Sequence, residues 1–492
     1  MKHTALLLLS ALLLASAAVS CGSAEEGTAA SEPVPGTETA SEQGAETEAS
    51  YISTLGEKDF GGAEYSVIVT RQGTGTLHPA TTQLTGEAIN DALFTRDRKI
   101  EDDYNVKIVY PEYADSADTA VTIAKNVLAG DPVCDVYIDA LSNGSAYMGH
   151  AFQQGVLYNL RDVPYLQPDK QWWSSLMYDK MTFNGKMFFT SGDMACYSFA
   201  APSCIFMNLQ VAENYDIDAQ EVYQLVYDGA WTIDEVMKRT AGMHNDVNGD
   251  GVFSPDIDTY GVVNCCISLT AEEFLVGAGV EMSGTDADGN LSLDLNNEHV
   301  VTVIDKLRQC FCETKASDDQ NTLLHNCFMT DRTLFAVHLV ETAIYYYRDM
   351  ESDFSILPMP KYEAAQKSYM SYINPHTHSF IAMPLTLSDP EKTGFITEVM
   401  EYMTVENVRP AIYDTTLKGK TARNPDTQAM LDIIFNTTYT DLNAVMNFGG
   451  TIDALSNALF NGKDLASALT KSENSAAKAA EKVMALFEDK EG

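Results

Sequence analysis

Two adjacent tryptophans, Trp172 and Trp173, are the side chains best suited to bind an organic ligand. A flat indole ring matches the apolar C–H face of a sugar, while carboxylates and amides bind the hydroxyl groups around its edge. An indole also fills a hydrophobic core well, and either tryptophan could be a core residue instead. The pair therefore predicts a sugar-binding pocket, and the core alternative stays open.

A second group of polar residues has the spacing of a calcium loop. Oxygen ligands stand at alternate positions before the glycine turn at Gly251, as they do in such loops. The closing position is Ile257, so the last acidic ligand is displaced by one residue. The candidate ligands are Asp246, Asn248, Asp250, Asp256 and Asp258. A structural calcium ion is one interpretation, and a surface turn whose acidic side chains accept backbone amides is the other. No other cofactor is expected.

The sequence gives little sign of a catalytic site. Ser475-Ala-Ala-Lys478 fits a Ser-x-x-Lys motif, but it lies in an Ala-rich predicted helix and is interpreted as a chance match. There is no Gly-x-Ser-x-Gly elbow, no phosphate-binding Walker loop and no His-Glu-x-x-His. His376 and His378 could face the same side of an extended segment as a metal pair, but no dense group of His and Glu residues lies nearby in the sequence. We therefore expect a protein that is not an enzyme.

The amino terminus predicts export and a lipid anchor. Lys2 precedes an apolar run over 5–15, which is shorter than the roughly 20 residues that span a membrane, so 1–20 is interpreted as a signal peptide. The signal ends at Cys21 and resembles that of bacterial lipoproteins, in which this thiol is lipidated; the alternative is an ordinary signal with a chance cysteine. Residues 21–58 are acidic and low in complexity, which predicts a disordered tether.

Size and charge limit the classes of function. The formal charge of −39 argues against binding nucleic acid, whose partners need basic surfaces, and against a surface that lies on anionic lipid. About 440 residues follow the tether, beyond the roughly 250 to 300 at which a single core stops growing. The sequence therefore predicts two lobes.

The start of the folded part predicts a parallel sheet covered by helices. Apolar runs and amphipathic stretches alternate as strand, helix, strand, helix, strand over 65–70, 87–104, 106–110, 118–129 and 133–138. Ligands of such sheets bind beyond the carboxyl ends of the strands. Asp139 and Asn143 follow the third strand, so we expect them to face a cleft.

Two later stretches predict crossings between the lobes. Small and turn-forming residues over 191–203 precede an apolar strand in a new part of the chain, and the apolar stretch 379–383 could return to the first sheet. Tyr197 lies in the first crossing, and Asn374 and His376 come just before the return. These three side chains are therefore candidates for the ligand site.

Several stretches, taken in order, carry a resemblance to a known family. They are Gly86-Glu-Ala-Ile-Asn-Asp-Ala-Leu, Trp172-Trp173, Phe183-Asn-Gly-Lys-Met-Phe-Phe, Trp231-Thr-Ile-Asp-Glu, Asp246-Val-Asn-Gly-Asp-Gly, Asp353-Phe-Ser-Ile-Leu-Pro-Met-Pro-Lys, Tyr413-Asp-Thr-Thr-Leu-Lys-Gly-Lys and Asp432-Ile-Ile-Phe. Together they resemble the family 1 extracellular solute-binding proteins, the maltose-binding-protein-like components of ABC importers. They span nearly the whole chain after the tether.

The resemblance implies a fold, a function and partners. It implies an α/β fold of the type II periplasmic-binding-protein class, in which each lobe is a mixed, mainly parallel sheet flanked by helices and hinge strands join the lobes. Lobe 1 would comprise 59–200 and 377–436, and lobe 2 would comprise 201–376 and 437–492. Glu341 follows a strand that resembles one at the family's sugar site. A monomer on the outer face of a Gram-positive-type membrane would capture a solute, plausibly a sugar, by lobe closure and deliver it to ABC permease subunits.

Two other classes of function stay open on the sequence. A lipid-anchored glycan-degrading enzyme would use a pair of carboxylates, and 70 acidic residues make such pairs inevitable. A surface adhesin would bind macromolecules and show no response to small ligands. Release of reducing ends from a polysaccharide would indicate the enzyme.

Overall fold

The computed structural model describes residues 48–492 except for 71–77, 113–117, 143–146, 265–266, 287–289, 315–320, 418–424 and 489–492. Cys21, the predicted signal peptide and most of the predicted tether lie outside the described residues. The helices are α1 (Glu48–Leu55), α2 (Ala88–Tyr104), α3 (Thr119–Ala129), α4 (Met148–Gln153), α5 (Ser175–Lys180), α6 (Leu209–Asn214), α7 (Ala219–Tyr227), α8 (Ile233–Thr240), α9 (Ile267–Gly277), α10 (Glu298–Thr314), α11 (Asn321–Met329), α12 (Glu341–Tyr345), α13 (Pro390–Met403), α14 (Arg409–Leu417), α15 (Pro425–Asn436), α16 (Leu442–Met446), α17 (Thr451–Asn461) and α18 (Leu465–Met484). Within the described ranges, none of these helices has the length and apolar character needed to cross a membrane.

The first sheet follows the predicted order of elements. It contains β1 (Ala63–Val69), β2 (Val106–Val109), β3 (Val136–Asp139) and β11 (Phe380–Ala382), arranged as β2-β1-β3-β11. β1 is parallel to β2 and β3, whereas β11 is antiparallel to β3. α3 ends at Gly130, whose φ of 83° is the left-handed conformation that commonly ends a helix. The predicted strand–helix–strand–helix–strand unit is confirmed, and the chain returns to this sheet through β11.

The second sheet has a different balance of strand directions. It contains β4 (Ser203–Asn208), β5 (Tyr260–Asn264), β8 (Thr333–Leu339) and β9 (Phe354–Leu357), arranged as β5-β8-β4-β9. β5 and β8 are parallel, but β4 is antiparallel to both β8 and β9. β4 comes directly from the crossing and runs away from the first sheet, whereas its neighbours run back. This sheet is therefore mixed, as predicted, but two of its three pairings are antiparallel, so it is not the mainly parallel sheet that the resemblance implied. A short hairpin, β6 (Gly284–Thr285) and β7 (Leu291–Ser292), stands apart from it.

Apolar side chains cover both faces of each sheet, so each sheet is the centre of its own lobe. Successive residues of a strand point to opposite faces. Val67 and Ile68 of β1 accordingly belong to different core clusters, as do Ile205 and Phe206 of β4. All four side chains are almost fully buried. This arrangement, helices packed on both faces of two separate sheets, confirms the predicted two-lobed α/β fold.

The lobes are joined where three segments of the chain meet, 191–203, 371–379 and 437–441. β10 (Ser371–Tyr372) is parallel to β12 (Thr438–Tyr439), and Pro202 pairs with Ile373. Ile373 also donates its amide to Tyr439 O at 2.8 Å. Backbone pairing thus makes these three segments one unit, which we call the hinge.

The folded part begins earlier than composition suggested. The tether was predicted to extend to residue 58, but α1 begins at Glu48 and Tyr51 is only 1% exposed. The ring of Tyr51 packs against Trp172 and Tyr402 in the first lobe. An aromatic residue with a buried partner for its hydroxyl is part of the core, so α1 does not belong to the predicted tether.

The carboxyl-terminal residues are also distributed between the two lobes differently from what the resemblance implied. α15, assigned to lobe 1, packs against β9 of the second sheet, and its Leu431 and Ile434 join the core of that lobe. The segment 437–492, assigned to lobe 2, contacts both lobes. Leu455 lies in the core of the second lobe, whereas Phe487 packs against Phe183 of the first.

Candidate functional site

The carboxyl ends of β3 in the first sheet and β8 in the second both lie at the hinge. Leu141, two residues after β3, donates its amide to Pro375 O at 2.9 Å. Val340, directly after β8, donates its amide to Pro202 O at 3.0 Å. Ligands of open α/β sheets bind beyond these strand ends. We call residues 140–142, 147, 340–346 and 373–378 the strand-end region, and it is the candidate site.

Asp139 shapes the turn that follows β3. Its side chain is fully buried and accepts hydrogen bonds from the hydroxyl of Tyr137 and from the amide of Ala140. A buried carboxylate is stable only when donors surround it, and these two groups provide part of that shell. Asp139 therefore positions the strand-end region instead of presenting its carboxylate to a solute. Asn143, the other residue predicted here, lies outside the described residues.

The structure places Trp172 and Trp173 in the core of the first lobe. They are 4% and 5% exposed, and both indole N–H groups donate to the carboxylate of Glu398 in α13, at 2.8 and 2.9 Å. The cavity that both rings line measures about 30 Å³, which holds a water molecule but not a sugar ring, and a second cavity of about 100 Å³ lies beside Trp173. Neither indole face is therefore presented to a solute in this structure.

Glu398 explains why both indoles turn inward. In addition to the indoles, its carboxylate accepts the hydroxyl of Tyr51 at 2.6 Å and the amide of Gln167 at 3.0 Å. Burial raises the pKa of Glu398, and the four donors partly offset this because they stabilise the charged form. The sequence contains no local signal for this cluster, because Glu398 lies 225 residues beyond Trp173.

Of the two histidines in the hinge, His376 and His378, only the first lies at the surface. His376 is exposed, and its ring lies edge-on to Tyr147, with 6.0 Å between ring centroids. Asn374 holds the turn beneath it, because its side-chain oxygen accepts the amide of His376 at 2.9 Å. Tyr197 lies in a short helical turn, Tyr197–Phe199. The structure thus brings Asn374, His376 and Tyr147 together.

His378 has a structural role in the hinge. It is fully buried, and its Nε2 lies 2.6 Å from the hydroxyl of Ser191, which connects two of the hinge segments. Burial lowers the pKa of His378 to about 3, so the ring is neutral at physiological pH. One exposed and one buried imidazole do not form the metal pair that the His376-x-His378 spacing could have produced.

On the second lobe, the residues after β8 include Tyr346, an exposed aromatic that was not among the predicted site residues. Glu341 begins α12, and its amide donates to Ala200 O of the hinge at 2.9 Å. Tyr346, at the end of this helix, is 48% exposed, and its ring stacks on His325 with 4.3 Å between centroids. A rigid aromatic face at the strand ends is what a sugar ring needs. The run Tyr345-Tyr346-Tyr347 was the available signal.

The predicted calcium loop is closed by its own hydrogen bonds. The two oxygens of Asp246 accept the amides of Gly249 and Gly251, both at 2.7 Å. Asp258 accepts the amides of Val247 and Ser254 in the same way. Among the residues that the structure describes, no three His, Cys, Asp or Glu side chains are close enough to hold a metal ion. These bonds close the loop without an ion, and calcium binding stays a prediction.

One sizeable cavity lies away from the strand-end region. It measures about 600 Å³ and runs along α18 between the segment 290–296 and the turn at Asn184. At this turn Phe183 and Lys186 exchange backbone hydrogen bonds. Because this cavity touches none of the strand ends, it is not the candidate site.

Comparison with solved structures shows which fold this geometry belongs to. A cyclo/maltodextrin-binding protein, solved with maltotetraose, matches 86% of this chain and 96% of its own, with a TM-score of 0.54 and 13% identity. UgpB from Mycobacterium tuberculosis, solved with glycerophosphocholine, matches 84% of this chain and all of its own, with a TM-score of 0.52 and 15% identity. The chain has the fold of these solute-binding proteins.

Comparison of the sequence alone gives no match. No protein-family model matches the chain, and no curated protein matches it significantly. The maltose-binding-protein-like resemblance is therefore confirmed at the level of the fold, over nearly the whole described chain.

Proposed function

We propose that this protein is the extracytoplasmic substrate-binding component of an ABC importer. The observation that carries the proposal is the hinge: two separate α/β lobes are joined by paired backbone segments, and the carboxyl ends of β3 and β8, one strand from each sheet, lie beside it. Such a hinge allows the lobes to rotate as rigid bodies around a solute held between them. The two comparison proteins have this fold and were solved with small solutes.

In this proposal the solute contacts both lobes at the strand-end region. His376 and Tyr147 would contact it from the first lobe, and Tyr346 would stack on it from the second. A solute that binds both surfaces favours the closed form by the difference in its affinity for the two forms. Lys180 and Glu281, paired across the lobes at 2.6 Å, add a direct contact near the hinge.

The proposed solute is a neutral carbohydrate. An exposed, rigidly stacked tyrosine at the strand ends supports a flat apolar sugar face. The formal charge of −39 disfavours anionic solutes through long-range repulsion. The fold alone does not choose between the two comparison ligands, because one is an oligosaccharide and the other a zwitterionic glycerophosphodiester.

The setting of the protein completes the proposal. Cys21 would carry a lipid anchor at the outer face of the cytoplasmic membrane of a Gram-positive-type cell, and the acidic segment after it would hold the folded body away from the surface. The protein would act as a monomer that presents its closed form to the transmembrane subunits of a permease, and it would not turn over its ligand.

Calorimetric titration with a panel of mono- and oligosaccharides and glycerophosphodiesters tests the proposal. We expect saturable binding of at least one oligosaccharide with no release of reducing ends. Tyr346→Ala should weaken that binding by about tenfold, which corresponds to about 1.4 kcal/mol. Tyr215→Ala is the matched control, because Tyr215 is a similarly exposed tyrosine of the second lobe outside the strand-end region. Absence of any response, or hydrolysis of a glycan, would contradict the proposal.

A further inference from the structure

The surface loop 246–258 of the second lobe exposes an unusual number of apolar side chains. Four of the eleven exposed large apolar side chains in the described part of the chain lie within this loop. They are Val247 at 61% exposure, Val252 at 65%, Phe253 at 37% and Ile257 at 45%. Single exposed apolar residues need no explanation, but a group of them indicates a contact surface.

The loop holds these side chains in a fixed arrangement. Asp246 and Asp258 together accept four backbone amides of the loop, each at 2.7 Å. Phe253 is stacked on His244 with 3.7 Å between centroids, and Arg332 donates to the carbonyl of Pro255. A surface that is already ordered loses little conformational entropy when it binds.

The position of the loop separates it from the candidate solute site. Asn245 and Thr259 pair at the base of the loop, directly before β5 begins, and Arg332 directly precedes β8. The loop therefore lies at the amino ends of β5 and β8, and the carboxyl end of β8 leads into the strand-end region. About 20 Å of strand lies between the two sites, at roughly 3.3 Å per residue. A partner could contact the loop while the cleft is open, closed or occupied.

The charge of the loop determines which kind of partner surface would be complementary to it. The segment 244–259 contains Asp246, Asp250, Asp256 and Asp258 and no Lys or Arg. A second copy of this acidic chain, or an anionic lipid surface, would place like charges in contact, which is unfavourable. A surface that combines apolar side chains with basic ones would be complementary in both respects.

We propose that loop 246–258 is a docking surface for a protein partner whose contact face carries apolar side chains bordered by Lys or Arg. The inference does not depend on the identity of the solute or on the importer function, because it uses only the exposure, the order and the charge of this loop.

Fluorescence anisotropy with a labelled helical peptide, leucine on one face and lysine on the other, tests the proposal. We expect saturable binding that Val247→Ser/Val252→Ser weakens by about tenfold or more. These side chains are exposed, and only their backbone amides support the loop, so the variant should fold. Leu128→Ser, at an equally exposed leucine of the first lobe, should bind the peptide like the parent protein. Asp256→Asn should weaken binding at low salt more than at high salt.

Three outcomes would overturn the proposal. The first is peptide binding that is absent, or that is equal in the valine double variant and the parent. The second is concentration-dependent dimerisation in sedimentation experiments that the double variant abolishes, which would make a second copy the occupant. The third is binding to phosphatidylglycerol vesicles that the double variant abolishes, which would make the loop a lipid contact.

Discussion

Replacing Trp173 by Phe tests whether the paired tryptophans support the core or the ligand. The phenyl ring keeps most of the apolar contact but removes the indole N–H that donates to Glu398 at 2.9 Å. Glu398 would keep three donors, from Tyr51, Gln167 and Trp172. The substitution therefore weakens a buried carboxylate cluster without touching the strand-end region.

The expected loss of stability follows from the bond that disappears. A hydrogen bond to a charged group contributes about 1.5 to 3 kcal/mol, and the smaller ring adds about 1 kcal/mol for the space it leaves. Trp231→Phe in the second lobe is the matched control, because that buried indole donates to the neutral carbonyl of Pro358 at 3.0 Å. A neutral bond contributes only about 0.5 to 1.5 kcal/mol, so Trp173→Phe should be the more destabilising by about 1 to 2 kcal/mol.

Urea denaturation and calorimetric titration of the same samples separate the two roles. We expect Trp173→Phe to lower the free energy of unfolding by about 2 to 4 kcal/mol and to leave the Kd for the solute within about twofold. A Kd at least tenfold weaker with unchanged stability would refute the core assignment and restore Trp173 as a ligand contact.

Two further substitutions test a buried carboxylate and a carboxylate that accepts backbone amides. Burial raises the pKa of Glu273 to about 8. Between about pH 4.5 and 8 the unfolded chain therefore loses a proton that the folded protein keeps, so the free energy of unfolding falls as pH rises. Glu273→Gln should remove up to about 4 kcal/mol of this decline in urea denaturation, and a pH profile like that of the parent protein would contradict the prediction. Asp246→Ala removes the acceptor for two loop amides and should cost about 1 to 2 kcal/mol with or without calcium. A melting temperature that rises with calcium in the parent protein but not in Asp246→Ala would instead establish the ion site.

The predictable parts of the fold are those with local signals. The apolar stretches after the first crossing and over 379–383 predicted β4 and β11, and the alternation of apolar runs with amphipathic stretches over 65–138 predicted the rest of the first sheet. β5 was missed because Tyr260–Asn264 is short, contains a glycine and follows directly on the acidic loop. The hinge pairing of β10 with β12 joins segments more than 60 residues apart in the sequence, and no local pattern encodes such a pairing.

The candidate site could be located from the sequence more easily than its residues could be chosen. The end of β3 and the turn at 374–376 were identified by their positions relative to strands, and both lie at the hinge. Tyr346 was overlooked because a run of three tyrosines gives no indication of which ring is exposed. Only packing decides it: Tyr347 is buried against Phe206, whereas Tyr346 rests on His325 and keeps its other face toward solvent.

The tryptophan pair shows why residue type alone cannot assign a binding role. An indole needs an acceptor for its N–H when buried, and a buried carboxylate needs several donors, so the two requirements satisfy each other. Glu398 has two oxygens, and each accepts one of the neighbouring indoles, which fixes Trp172 and Trp173 in the core together. Glu398 in α13 is therefore the residue that makes both tryptophans part of the core. By the same reasoning, an exposed aromatic whose rigidity comes from stacking, such as Tyr346, is the stronger candidate for a solute contact.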